Sequence, residues 1–153
     1  MNLIESIEIR ELRKDDREKI INFFDNMTGE TRVFFNRYDS NKKNALKLFD
    51  GGNENKVDFV AVNGNEIIGY LFLWDLDTSI PWLGIGIDEK WQGQKLGRRL
   101  MSKAVEYAKE QGKGGILLST HVANTRAQGL YLRMGFVQIG YYLDGEMLLL
   151  LRF

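Results

Sequence analysis

Apolar residues recur along this chain with two different periods, and the switches between them divide it into strands and helices. Ile7-Glu8-Ile9-Arg10-Glu11-Leu12 alternates apolar with polar, the period of a strand that lays one face on a core. After Asp15-Asp16, a pair suited to a helix start, Ile20, Phe23, Phe24 and Met27 return at helical spacing and stop before Gly29. From 31 to 55 the pattern weakens, although Ala45, Leu46, Leu48 and Phe49 fit the inner side of a short helix ending at Gly51-Gly52. Residues 57–62 and 67–74 are apolar and β-prone, and Asn63-Gly64 between them tolerates positive φ, so the two runs predict a hairpin.

Trp82-Leu83-Gly84-Ile85-Gly86-Ile87 predicts a further strand, whose interior glycines point to a bulge or to close approach by another backbone or a ligand. A glycine-containing loop follows. It opens a helix in which Gly97, Leu100, Met101, Ala104, Val105 and Ala108 keep one face small and apolar as far as Gly112. Ile116-Leu117-Leu118-Ser119-Thr120 has the character of a buried strand, and Asn124 is placed to cap a helix with Ala127, Leu130, Tyr131 and Met134 on one face. Two last strands, 136–143 and 146–153, flank Asp144-Gly145. The order predicts one α/β (α+β) domain over 1–153, a mixed, mostly antiparallel sheet of six to seven strands flanked by about four helices.

Composition removes several kinds of chemistry. With no cysteine and one histidine, His121, neither disulfides nor a thiolate or multi-histidine metal site is available, so no metal is expected. Lys plus Arg and Asp plus Glu both total 21, which leaves no basic excess for a nucleic-acid backbone. No run reaches the roughly 18 apolar residues of a membrane span, and the first residues do not read as a secretion signal, so the expected compartment is the cytoplasm, away from the membrane.

The segment Gln92-Gly93-Gln94-Lys95-Leu96-Gly97 lies between a strand and a helix, where unpaired N–H groups and the helix dipole favour an anion such as a phosphate, with Lys95, Arg98 and Arg99 adding charge. A surface turn with solvated arginines accounts for the loop equally well. The Gly-Lys-Ser/Thr ending of a nucleotide P-loop is missing, and the dinucleotide fingerprint does not match.

Taken together, Ile85-Gly86-Ile87, the run from Trp91 to Leu100, Asn124 with Ala127, and Tyr131-Leu132-Arg133-Met134-Gly135-Phe136 resemble the GNAT superfamily of acyl-CoA-dependent N-acetyltransferases. Gln92 and Gly97 fit the family loop, whereas Lys95 stands at its first glycine position. A lysine resists positive φ, so the family path is expected to survive only with Lys95 at negative φ.

The resemblance implies a splayed central strand pair that receives the pantetheine arm. It implies main-chain contacts at Ile85 and Ile87, and a pyrophosphate held at Gln92, Gly93, Gln94, Lys95, Leu96, Gly97 and Arg98. It further implies Asn124 as a coenzyme contact and Tyr131 as a coenzyme contact and the general acid for the departing thiolate. The donor implied is acetyl-CoA and the acceptor a primary amine of a small molecule or protein. No carboxylate stands at the family's glutamate position, which is Pro81 here; His121 is the candidate base, with Asp75, Asp77 or a water chain as alternatives. Ordinary structural roles remain open for Tyr131 in the core and Asn124 as a cap. A non-catalytic acyl-CoA-binding sensor or assembly module, or use of another acyl chain, is the alternative function. Arg32, Phe34, Phe35, Arg37 and Tyr38 form a mixed basic and aromatic stretch in the half of the chain expected to bind the acceptor, a stretch that reads more readily as a solvated helix flank with its aromatics in the core, and the leucine-rich strand at 147–151 suits either a core or the pairing of subunits in a homodimer.

Overall fold

The structure, a computed structural model, describes residues 6–36, 39–51 and 55–153. Its strands are β1 (Glu8–Glu11), β2 (Lys56–Asn63), β3 (Glu66–Trp74), β4 (Trp82–Ile87), β5 (Gly115–His121), β6 (Val137–Tyr142) and β7 (Glu146–Arg152). They form one sheet in the order β1-β2-β3-β4-β5-β7-β6, antiparallel throughout except for β4 beside β5. The helices are α1 (Arg17–Asp25), α2 (Gly29–Phe35), α3 (Ser40–Leu46), α4 (Leu96–Glu110) and α5 (Thr125–Arg133), one more than expected. The addition is α2, seven residues without a fully buried side chain, too short and too exposed to leave a periodic signal.

Each face of the sheet carries its own core. On one, Leu96, Leu100, Met101, Ala104 and Ala108 of α4 pack with Phe59, Leu71, Leu73, Leu83, Ile116, Leu118 and Leu149, and Tyr131 and Phe136 join them from α5 and the segment after it. On the other, Ile20, Phe23 and Phe24 of α1 and Ala45 of α3 pack with Val60, Val62, Ile67, Tyr70 and Phe72. Side chains along β2 and β3 alternate between the two cores, with one change of phase at the irregularity opposite Ala61 and Val62, where Ile68 and Gly69 both face the α4 side, so both strands are buried on both faces and read as continuous apolar runs.

Polar groups pin the second core. Lys56 Nζ stands 2.6 Å from Asp58 Oδ1 and donates to Tyr70 Oη at 3.0 Å and to the Asn44 carbonyl at 2.9 Å, which ties α3 to the sheet. The Tyr70 hydroxyl donates to Asp58, and burial beside that carboxylate pushes the phenol well above its ordinary value. Near the start of the chain, Arg10 forks onto buried Asp16 at 2.7 and 2.9 Å while the Arg13 N–H reaches the same carboxylate at 2.8 Å. Burial works to raise Asp16, but the Arg10 and Arg13 hydrogen bonds outweigh it and hold the carboxyl below its ordinary value.

Two details depart from the expectations. The hairpin turn is Gly64-Asn65, because Asn63 already pairs with Glu66 and Gly64 takes φ +61°. The glycines of β4 mark no bulge: Gly69 to Trp74 pairs with Ile87 to Trp82 in unbroken register. A side-chain carbon on Gly84 would collide with the ring of Phe72, and one on Gly86 with the ring of Phe35. These glycines let two aromatic rings lie on the strand.

Candidate functional site

β4 and β5 run parallel, yet a single register pair joins them, Trp82 with Leu117, supported by Leu117 N–H donating to the Pro81 carbonyl at 2.9 Å. Towards Ile87 and His121 no further pair forms among the described residues. The strands part there as the resemblance implied, leaving main-chain hydrogen-bonding edges open beside the loop that leads into α4.

In that loop Trp91 ends a tight turn, and the Gln92 N–H is spent on the Glu89 carbonyl at 3.3 Å. Gly93 takes φ +77° and Lys95 φ +65°, and α4 starts at Leu96 with no side chain capping it. Lys95 is therefore in the left-handed region, against the expectation of negative φ; tertiary context, with Leu96 and Leu100 fixed in the core, overrides the side chain's preference. No backbone N–H from Gly93 to Arg98 has a partner among the described residues. Several donors thus converge at the positive end of a 15-residue helix. Lys95, Arg98 and Lys103 line an open groove of about 520 Å³ along α4, and Arg99, also on its wall, donates to the Ile7 carbonyl at 2.9 Å. Gly97 lets α4 close on α5, since a Cβ there would come within 3.0 Å of Leu130 Cδ2.

Gln92 spends its side chain inside the protein. Its Nε2 donates to Thr31 Oγ1 at 2.7 Å and to the Ile87 carbonyl at 2.9 Å, and its Oε1 accepts from Arg126 at 2.7 Å. The amide therefore joins α2, β4 and α5. Arg126 escaped the sequence reading because a lone exposed arginine on a helix has no pattern to distinguish it. Ile85 and Ile87 turn their side chains to the α4 core, and with the Ile87 carbonyl engaged by Gln92, their remaining main-chain groups border the gap.

Across the gap, the Tyr131 ring is buried against Phe136 with centroids 6.0 Å apart. Burial pushes its phenol up, so the hydroxyl stays protonated at neutral pH, and it makes no hydrogen bond among the described residues. Asn124 occupies the N-cap position of α5, but its side chain makes no cap hydrogen bond. The turn is held instead by the Asn124 N–H on the His121 carbonyl at 2.9 Å and by Gln128 Nε2 on the His121 and Val122 carbonyls at 3.1 and 2.8 Å. The Asn124 amide is left available.

His121 closes β5. Its ring stacks on Phe34 of α2 with centroids 5.5 Å apart, and its Nδ1 accepts the Ala123 N–H at 3.0 Å. Asp75 and Asp77 lie exposed in the β3–β4 connection, at the joined end of the β4–β5 pair, so the fold does not bring them to the open end. Of the aromatic and basic stretch, Phe34 meets His121 and Phe35 lies over Gly86, while Arg37 and Tyr38 fall outside the described residues. Among the described residues no cluster of histidine, aspartate and glutamate has the arrangement of a metal site.

The sequence profile of the acetyltransferase (GNAT) family matches residues 9–136. The chain belongs to that family. Within it, the chain is 31% identical over 85 residues to the N-alpha-acetyltransferase RimI of Mycobacterium tuberculosis, covering 52% of this chain and 51% of the relative. It is 38% identical over 65 residues to the mycothiol acetyltransferase of Nocardia farcinica, covering 40% of this chain and 22% of that one. The chain spans between 22% and 59% of the lengths of such relatives. Among solved structures, the GNAT domain of S. lividans PAT superposes with a TM-score of 0.82 at 15% identity, covering 96% of this chain and 90% of its own. The PaiA N-acetyltransferase of Thermoplasma acidophilum, solved with coenzyme A, gives 0.79 at 19% identity, covering 97% of this chain and 99% of its own. At such identities the likeness is one of fold, and this GNAT fold spans nearly the whole chain.

Proposed function

We propose that this GNAT protein is an N-acetyltransferase that takes its acyl group from acetyl-CoA and delivers it directly to a primary amine. The observation that carries the reading is the uncapped start of α4, with its free N–H groups, set beside the parted strands of a GNAT sheet. The residues present fit the donor. The N–H groups of Gly93 to Arg98 suit a pyrophosphate, with Lys95 and Arg98 adding positive charge, and the open edges of Ile85 and Ile87 suit the amides of a pantetheine chain. Asn124 has an unused amide at the same end.

When bound, the donor would supply a thioester whose carbonyl carbon accepts the nitrogen of a neutral amine as the carbon–sulfur bond breaks, the nitrogen shedding its surplus proton to solvent water. Tyr131 holds a proton at Oη for the departing sulfur, and its burial keeps that proton in place until negative charge develops nearby. The acceptor approaches on the side of α2, where Phe34 and Phe35 reach the gap. Work in the cytoplasm belongs to the same reading, and no helix among the described residues is long and apolar enough to cross a membrane.

Acetyl-CoA added to the purified protein is expected to raise its melting temperature, because a ligand bound only by the native state adds its binding free energy to stability. No shift at millimolar acetyl-CoA overturns the proposal. Release of free thiol with an amine panel then separates an enzyme from a non-catalytic acyl-CoA module. Tyr131→Phe lowers turnover and spares donor binding in the first case, and in the second no amine releases thiol.

A further inference from the structure

Two consecutive residues of α2 touch the two strands that part. Phe35 lies on Gly86 of β4, where an added side-chain carbon would run into its ring, and Phe34 stacks on His121, the last residue of β5, with centroids 5.5 Å apart. The helix thus bridges the open end of the gap on the sheet face opposite α4. Phe35 anchors it on Phe24, Tyr70 and Phe72. Little else in α2 holds it there, since it has seven residues and no fully buried side chain, and Thr28 at its N-cap position gives the first turn no side-chain cap. The loop that leads to α4 supplies the missing partners. The Glu89 carboxylate accepts from Thr28 Oγ1 at 3.2 Å and from the Thr31 N–H at 3.5 Å, and it lies so close to Gly29 that a side-chain carbon there would collide with it. Thr31 Oγ1 in turn accepts from Gln92 Nε2 at 2.7 Å. Arg126 donates to Gln92 Oε1, which leaves the amide one orientation and aims Nε2 at α2.

We infer that Thr31 is a positioning residue: by joining Gln92 and Glu89 it fixes α2, the wall across the gap, to the same loop that takes the donor's pyrophosphate. The inference rests on the acyl-transfer reading above and adds a link between the two halves of that site. Gly93 to Arg98, whose N–H groups suit the pyrophosphate, follow Gln92 directly, and the Gln92 N–H is already tied to the Glu89 carbonyl at 3.3 Å. An anion held on those groups stills Glu89 and Gln92, and a short segment hung on a few exposed contacts takes on the order of whatever it hangs from. On that reading the amine arrives past α2, so its seat depends on Thr31, whereas the donor contacts proposed above include neither Thr31 nor Glu89.

The test compares wild type, Thr31→Val and Thr31→Ser. Valine fills the same space and keeps the main-chain N–H but cannot accept from Gln92, whereas serine keeps the hydroxyl. Each protein is studied by thermal melts, by hydrogen exchange of the α2 amides with and without acetyl-CoA, and by thiol release with n-butylamine and benzylamine. In the wild type acetyl-CoA is expected to slow exchange across residues 29–35 by about threefold or more. In Thr31→Val that protection disappears and KM for both amines rises about three- to tenfold, the loss of one hydrogen bond, while kcat and the acetyl-CoA dissociation constant stay within about twofold. Thr31→Ser is expected to match the wild type. Exchange needs no acceptor, so it decides by itself where neither amine is turned over. Wild-type behaviour of the valine variant, failure of serine to rescue, or a loss of donor affinity as large as the loss for the amines overturns the inference. No melting shift with acetyl-CoA in the wild type overturns the acyl-transfer reading and this inference with it, whereas a shift without protection of α2 overturns this inference alone. Melting curves of both variants show that each is folded.

Discussion

Replacing Lys95 by glycine tests whether the loop before α4 is held by its backbone or by its side chain. Lys95 sits at φ +65°, a conformation that costs a residue with a Cβ about 1–2 kcal/mol. Glycine removes that cost but adds about 0.5–1 kcal/mol of chain freedom to be lost on folding. The balance is a stabilisation of about 0.5–1 kcal/mol, or about 1–4 °C in Tm for a chain of this length. Lys95→Ala is the control, because alanine keeps the strain and loses the ammonium. Lys95→Asn, which tolerates the left-handed region, falls between the two. Thermal melts of the four proteins without ligand are expected in the order glycine, asparagine, then lysine and alanine together. Repeated with acetyl-CoA, the same melts give affinity, which falls only a few-fold in all three variants and least at high salt, as befits one solvent-exposed charge. A glycine variant that melts at or below the alanine variant refutes the argument from backbone strain, and loss of donor binding in all three shows that the ammonium matters more than the N–H groups.

Three further outcomes follow from the packing. Asp16→Ala leaves Arg10 without its forked partner and is expected to cost about 3–5 kcal/mol, read as a drop of about 6–20 °C in Tm. Since the Asp16 carboxyl is held below its ordinary value, its contribution is present above the unfolded pKa and lost as pH falls through the folded one, so the acid limb of stability against pH is shallower in the variant. Tyr70 and Tyr131 are both pushed up, so their contributions are complete below about pH 10 and disappear as pH rises beyond it; Tyr131→Phe is expected to flatten that alkaline loss in melts from pH 8 to 11. Gly86→Ala drives a carbon into the Phe35 ring and is expected to cost about 1–3 kcal/mol, with α2 the first segment to gain hydrogen exchange.

The β2–β3 hairpin, as two apolar runs around a turn, and the single apolar face of α4 were legible because the pattern of apolar residues records burial directly. So was the join of strand, loop and helix at residues 82–110, where a glycine-bearing strand precedes an uncapped helix. What the sequence hid was the use made of individual groups. Gln92 looks like a ligand contact in a motif, yet three hydrogen bonds inside the protein consume its amide. Gly84 and Gly86 signal close approach, but only the fold says that the visitors are Phe72 and Phe35. α2 left no period to read, and with it went the stacking of Phe34 on His121. Lys95 shows the limit of a single-residue rule: its local preference is real and is outweighed by the helix it precedes.

The gap between β4 and β5 also shapes how the molecule holds together. With one register pair bridging it, the sheet amounts to two hydrogen-bonded blocks, β1 to β4 and β5-β7-β6, and the main-chain ladder carries little cooperativity from one to the other. That task passes to side chains. Leu100, Met101 and Ala104 of α4 share one core with Leu71 and Leu83 of the first block and with Ile116, Leu118 and Leu149 of the second. The helix whose first turn is left open to an anion is thus also the strap that makes two half-sheets unfold as one unit.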